Sequence, residues 1–137
     1  MSTVASQVGM VVARFNDGRT IKGITHDFAA NKQVFHLFEW GDESSEAITV
    51  PVGALKAIFF VKSYDGNKDH VEQQSFEDVK VQARKIVITF KDGEVLAGST
   101  MGYNPKKLGF FVTPIDPDSN NSRVYIVNES VAKVEWV

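Results

Sequence analysis

The chain repeats itself. Phe15-Asn16-Asp17-Gly18 returns 75 residues later, without a gap, as Phe90-Lys91-Asp92-Gly93. Gly23 then matches Gly98, Thr25 matches Thr100, Phe28 matches Tyr103, Lys32 matches Lys107 and Phe35 matches Phe110. After a one-residue shift in the next loop, Leu55, Ile58, Phe60 and Val61 fall on Val131, Val134, Trp136 and Val137. A tandem duplication decides the architecture ahead of any propensity argument, because both copies must form the same supersecondary unit. It divides the 137 residues into units at 8–61 and 80–137, with 62–79 as a linker. Units this small bury a modest fraction of their surface and are marginal alone. The halves are therefore expected to pack on one another or on another chain. What recurs is mostly glycines, turns and apolar positions, which makes the repeat a scaffold signal.

Strand patterning dominates each copy. Val11, Ala13 and Phe15 alternate with Val12, Arg14 and Asn16, and Ile86, Ile88 and Phe90 alternate with Val87, Thr89 and Lys91. That period of two marks strands with one buried face. The Asp-Gly pairs that follow signal tight hairpins. The second strands, Arg19–Phe28 and Glu94–Tyr103, are each interrupted by a glycine (Gly23, Gly98), which marks a bulge, a bend or a close backbone approach. Third strands are expected at Val34–Phe38 and Phe110–Thr113, fourth strands at Ile48–Val50 and Val124–Val127, and fifth strands at Leu55–Val61 and Val131–Val137. The three-residue links before the fifth strands suit a single helical turn. The fold class is all-β, five strands per unit, and the linker segment 71–79 is the place where a short helix fits.

The fifth strands differ in an informative way. Lys133 and Glu135 give the second copy one wet face, whereas Ala57, Phe59 and Val61 make the corresponding face of the first copy apolar. Strands apolar on both faces are covered on both faces. This outer face is expected to lie against the other unit, the linker or a second chain.

Composition removes several function classes. The patterned parts of the two units, residues 11–61 and 86–137, each carry five Lys or Arg against six Asp or Glu, so neither presents the basic footprint of a nucleic-acid binder. There is no cysteine, which excludes disulfides and thiolate chemistry. Met1 to Val8 lacks the pattern of a secretory signal, and no run approaches the roughly 20 apolar residues of a membrane span. A soluble cytoplasmic protein is the expectation.

Candidate sites are sparse. Asp116, Asp118 and Asn120, like Asp65, Asn67 and Asp69, have the alternation of a calcium loop. The required Gly and Glu are replaced by Asn121 and Val127 in one and by His70 and Phe76 in the other, so turn chemistry explains them and no metal is expected. His26, His36 and His70 share no spacing and are not duplicated; His36 reads as a half-buried sheet residue. Glu43 and Glu46 lie in a polar loop. No converging constellation suggests catalysis, and no cofactor is implied. Lys106 and Lys107 sit at a turn beside Tyr103, where two lysines are ordinarily solvated. Most aromatics must fill the cores. Trp40, Tyr64 and Phe111 have no obvious core place and, with Ala57, Phe59 and Val61, make the predicted contact surface, since aromatics are enriched at interface anchors.

A five-strand unit with an Asp-Gly first hairpin, a glycine in strand two (Gly23 before Phe28, Gly98 before Tyr103) and a one-turn link before strand five resembles a small SH3-type barrel, and within that group the Sm-like domain. The closing segment Ile126-Val127-Asn128-Glu129-Ser130-Val131-Ala132-Lys133-Val134 carries the end of that pattern. The resemblance implies two tandem five-stranded barrels and covers nearly all of both units. The RNA-contacting Asp and Asn of the Sm family fall on Ala29 and Gln33 in one copy and on Asn104 and Leu108 in the other, and its Arg-Gly pair on Pro51-Val52 and Val127-Asn128. The RNA signature is thus absent from both. The stretch from Gly109 to Val124 is also similar to a segment of an uncharacterised bacterial family of such barrels, which implies a bacterial source and no activity.

The expected function is a non-catalytic interaction module that presents a barrel surface or a strand edge to a protein partner or to a second copy. Sm-like RNA binding, carried by stacking on Phe111 or Trp40, is the alternative.

Overall fold

A computed structural model of the chain describes residues 7–41, 46–63 and 83–137. Ten strands run in chain order: β1 (Gln7–Phe15), β2 (Thr20–Phe28), β3 (Val34–Glu39), β4 (Ile48–Pro51), β5 (Leu55–Val61), β6 (Arg84–Phe90), β7 (Val95–Thr100), β8 (Gly109–Pro114), β9 (Asn121–Val127) and β10 (Val131–Trp136). Single 3-10 turns, Val52–Ala54 and Asn128–Ser130, precede β5 and β10. No α-helix occurs among the described residues. The linker segment 71–79, Tyr64, His70, Glu43 and the Asp65-Asn67-Asp69 loop lie outside them.

All ten strands belong to one open antiparallel sheet, in the order β10-β6-β7-β8-β9-β5-β1-β2-β3-β4. Five neighbouring strands come from each copy. The sheet is continuous because β5 pairs with β9, with Ala57 opposite Ile126, Ile58 opposite Tyr125 and Phe59 opposite Val124. β4 and β10 are the two free edges. They are blunted by Pro51 on one and by Lys133 and Glu135 on the other, the charged and proline residues that discourage edge-to-edge pairing.

Two cores lie along this sheet. Val11, Ala13, Phe35, Leu37, Ile58 and Phe60 build the first, and Ile86, Ile88, Phe90, Phe110 and Val112 build the second. Both follow directly from the alternation in the first strand of each copy. The central strands feed both cores at once. Ile58 and Phe60 of β5 enter the first core while Ala57 enters the second; Val124 and Ile126 of β9 enter the second while Tyr125 and Val127 enter the first. It is therefore the second half of the chain that covers the apolar outer face of β5.

Gly23 and Gly98 mark close backbone approaches. A Cβ on Gly23 would collide with the Phe38 carbonyl oxygen, and one on Gly98 with the Thr113 carbonyl oxygen and, at 2.5 Å, with Val112 Cγ1. A backbone oxygen in a sheet cannot swing away as a side-chain tip can. Gly98→Val is accordingly expected to destabilise the chain by about 3 kcal/mol, the upper range of core overpacking. The midpoint of urea unfolding measures this, with Gly53→Ala, where a Cβ meets nothing within 4 Å, as the near-neutral control.

Candidate functional site

The seam between the copies positions everything that looks functional. There the ammonium of Lys56 in β5 is buried, with the residue only 7% exposed. It reaches across to the second copy, where Asp92 Oδ2 lies 2.7 Å away and Glu94 Oε1 closes a second ion pair. The Phe90 ring lies 4.6 Å from the same nitrogen. Arg14 adds a longer contact to Glu94 at 3.4 Å. Asp92 belongs to the repeated Asp-Gly turn, so this hairpin serves as a latch between halves. Lys56 holds the Asp92 carboxyl below the usual carboxylate range, helped by the Glu94 backbone N–H that donates to it. In the first copy the equivalent Asp17 bonds its neighbour Arg19, and among the described residues it makes no ion pair with the other copy.

A groove of about 980 Å³ also opens between the copies. Its rims are corresponding loops: 29–33 between β2 and β3, and 101–108 between β7 and β8. Each loop contains the same turn, with Lys32 N–H donating to Ala29 O at 3.0 Å and Lys107 N–H donating to Asn104 O at 3.2 Å. The Asn128 side chain fastens the second rim by donating to the Asn104 and Lys107 carbonyls at 3.0 and 2.8 Å. The lining includes the aromatic residues Tyr103, Phe110, Phe111 and Tyr125, together with Pro51 and Gly53 of the first copy. Tyr125 is buried to 1% and sits edge-on to Phe28 and Phe111, with ring centroids 5.0 and 5.1 Å away. Its hydroxyl donates to Ala30 O at 3.4 Å, tying the first rim to β9. Room for the Tyr125 ring comes from Gly109, where a Cβ would stand 2.6 Å from Tyr125 Cε2. The groove lining has no carboxylate, imidazole or aliphatic hydroxyl; its charged residues are Lys32 and Lys107.

The predicted contact residues separate. Phe111 is half-buried, packs against the first core and lines the groove. Ala57 is fully buried in the second core and Phe59 packs against that core, so both make their contacts within the chain. Val61 is half-buried at the end of β5. Trp40 is 59% exposed, lies outside the groove lining and follows β3, whose exposed Phe38 pairs across the strands with Ile24. Tyr64 lies outside the described residues. His36 is not half-buried: it faces solvent, with Nδ1 2.6 Å from Asp27 Oδ2. Asp116 accepts the Asp118 N–H at 2.8 Å in a local turn, and Asn120 is spent on Ser63, donating to its carbonyl at 2.7 Å. No cluster of three metal-ligating residues occurs among the described residues. None of the described helices is long and apolar enough to cross a membrane.

Sequence reasoning missed Lys56 and Tyr125. The signal for Tyr125 was present: Val124-Tyr125-Ile126-Val127 is apolar on both faces, whereas the matching Ile48-Thr49-Val50-Pro51 is not.

Residues 7–137 match the model of DUF6982, a family of unknown function, and the chain belongs to that family. No curated protein and no solved structure matches it.

Proposed function

We propose that this DUF6982 chain is a non-catalytic interaction module that binds a segment of a protein partner in the groove between its two copies. In this reading each half is a small barrel of the SH3 or Sm-like kind, and the duplication exists to bring two corresponding loops to face one cleft. Five adjacent strands from each half, and two distinct cores each built mainly from one half, support the barrel reading. The observation that carries the binding reading is the groove itself, open, largely apolar and lined by both copies without a reactive group.

The test fills the groove without touching the fold. Gly53 and Gly102 line it, and a Cβ on either meets nothing within 4 Å. Gly53→Phe and Gly102→Phe are expected to melt within about 0.5 kcal/mol of the wild type, as surface substitutions do. In quantitative affinity capture from the native host they are expected to lose the partners that the wild-type chain retains. Identical capture by all three chains sinks the proposal.

A further inference from the structure

The chemistry of the occupant follows from a detail of the duplication. Few polar side chains recur between the copies, yet Lys32 and Lys107 occupy the same place in the repeat, at the same position of the same turn, on opposite rims of one groove. Both are exposed, and no acidic residue joins them in the lining. The same lining is largely apolar and includes the half-buried Leu108 and Phe111. Asn31, Gln33 and Asn104 add amides, which can pair with the donors and acceptors of an extended backbone.

Resting on the binding reading above, we infer that the groove selects an extended acidic peptide, with carboxylates flanking an apolar side chain: the carboxylates meet Lys32 and Lys107, and the apolar side chain lies between them. Charge complementarity favours this occupant over a nucleic acid. Two lysines neutralise two phosphates at most, and the chain as a whole carries a net charge of −2, whereas nucleic-acid sites spread many cations along the backbone they follow. Two carboxylates need no more than the two cations present, and apolar contact supplies the rest of the affinity.

The probe is a random peptide library displayed on phage and selected against the full chain. Enriched peptides are then measured by fluorescence anisotropy against the wild type, Gly53→Phe and the double variant Lys32→Gln/Lys107→Gln. The expected result is enrichment of Asp or Glu around an apolar residue. Binding should weaken about tenfold in the double variant, as charge-assisted contacts are lost. It should disappear in Gly53→Phe and fall as salt rises. Neutral or basic peptides that Gly53→Phe abolishes and the lysine variant leaves unchanged would overturn the acidic specificity and keep the groove reading. If no selected peptide depends on Gly53, or if oligouridylate binds where peptides do not, both fall.

Discussion

Tyr125→Ala is expected to lower the stability of the chain by about 3–5 kcal/mol, the range for deleting a large buried aromatic side chain. The ring is 1% exposed and belongs to the first core although it comes from the second copy, where it meets Phe28 and Phe111 edge to face. Its loss leaves a cavity that the backbone cannot close, because Tyr125 stands opposite Ile58 in the register that joins the two halves. Two comparisons isolate the cause. Tyr125→Phe removes only a hydroxyl with one long hydrogen bond, and about 1 kcal/mol or less is expected. Thr49→Ala changes the equivalent position of the other copy, exposed on the free edge strand β4, and should stay within about 0.5 kcal/mol of the wild type. Urea titrations followed by tryptophan fluorescence and circular dichroism give all three values. A Tyr125→Ala chain as stable as Thr49→Ala would mean that the halves do not share a core.

The contrast between Tyr125 and Thr49 also shows what was legible in the residues. Alternation in β1 and β6 assigns the inward faces of both copies, and the two strand glycines announce the close approaches at Phe38 and Thr113. The apolar outer face of Ala57 and Phe59 states that something covers β5. It cannot state what, because period-two patterning is local and strand pairing is not: a two-sided strand is compatible with any cover. The partner becomes readable only when β9 is recognised as the second two-sided strand in the chain. The groove was less accessible still. Its rims are polar loops with no motif, and their meaning lies in facing each other across a seam that local sequence does not encode. Lys56 shows the same limit from the other direction. Between Leu55 and Ala57 nothing in the local pattern names a partner for it, and the two carboxylates come from the hairpin of the second copy.

That buried ammonium sets the second large effect. In the double variant Asp92→Asn/Glu94→Gln, which keeps side-chain shape and removes both charges, the chain is expected to lose about 2–3 kcal/mol at neutral pH. Removing the partners of a buried ion costs more than the pair contributed, since the remaining charge is left desolvated and uncompensated; the roughly half-exposed carboxylates place the figure below the range for fully buried pairs. Lys56→Met in the same background should recover most of the loss, because it removes the stranded charge and puts an apolar side chain of similar length beside the Phe90 ring, over which the ammonium stands. The pH dependence follows from Asp92, whose carboxyl is held below its ordinary value of about 3.9 by Lys56. A group whose pKa is lower in the folded state binds its proton more readily when unfolded. Its contribution is therefore fully present above the unfolded pKa and is lost as pH falls through the folded one. The wild-type chain should lose stability between neutral pH and pH of about 3 more steeply than the double variant, so the gap between them narrows in acid. Thermal melts across that interval measure the slopes. Parallel slopes, or a neutral-pH loss well under 1 kcal/mol, would mean that Lys56 is solvated and that the Asp-Gly hairpin does not latch the halves together.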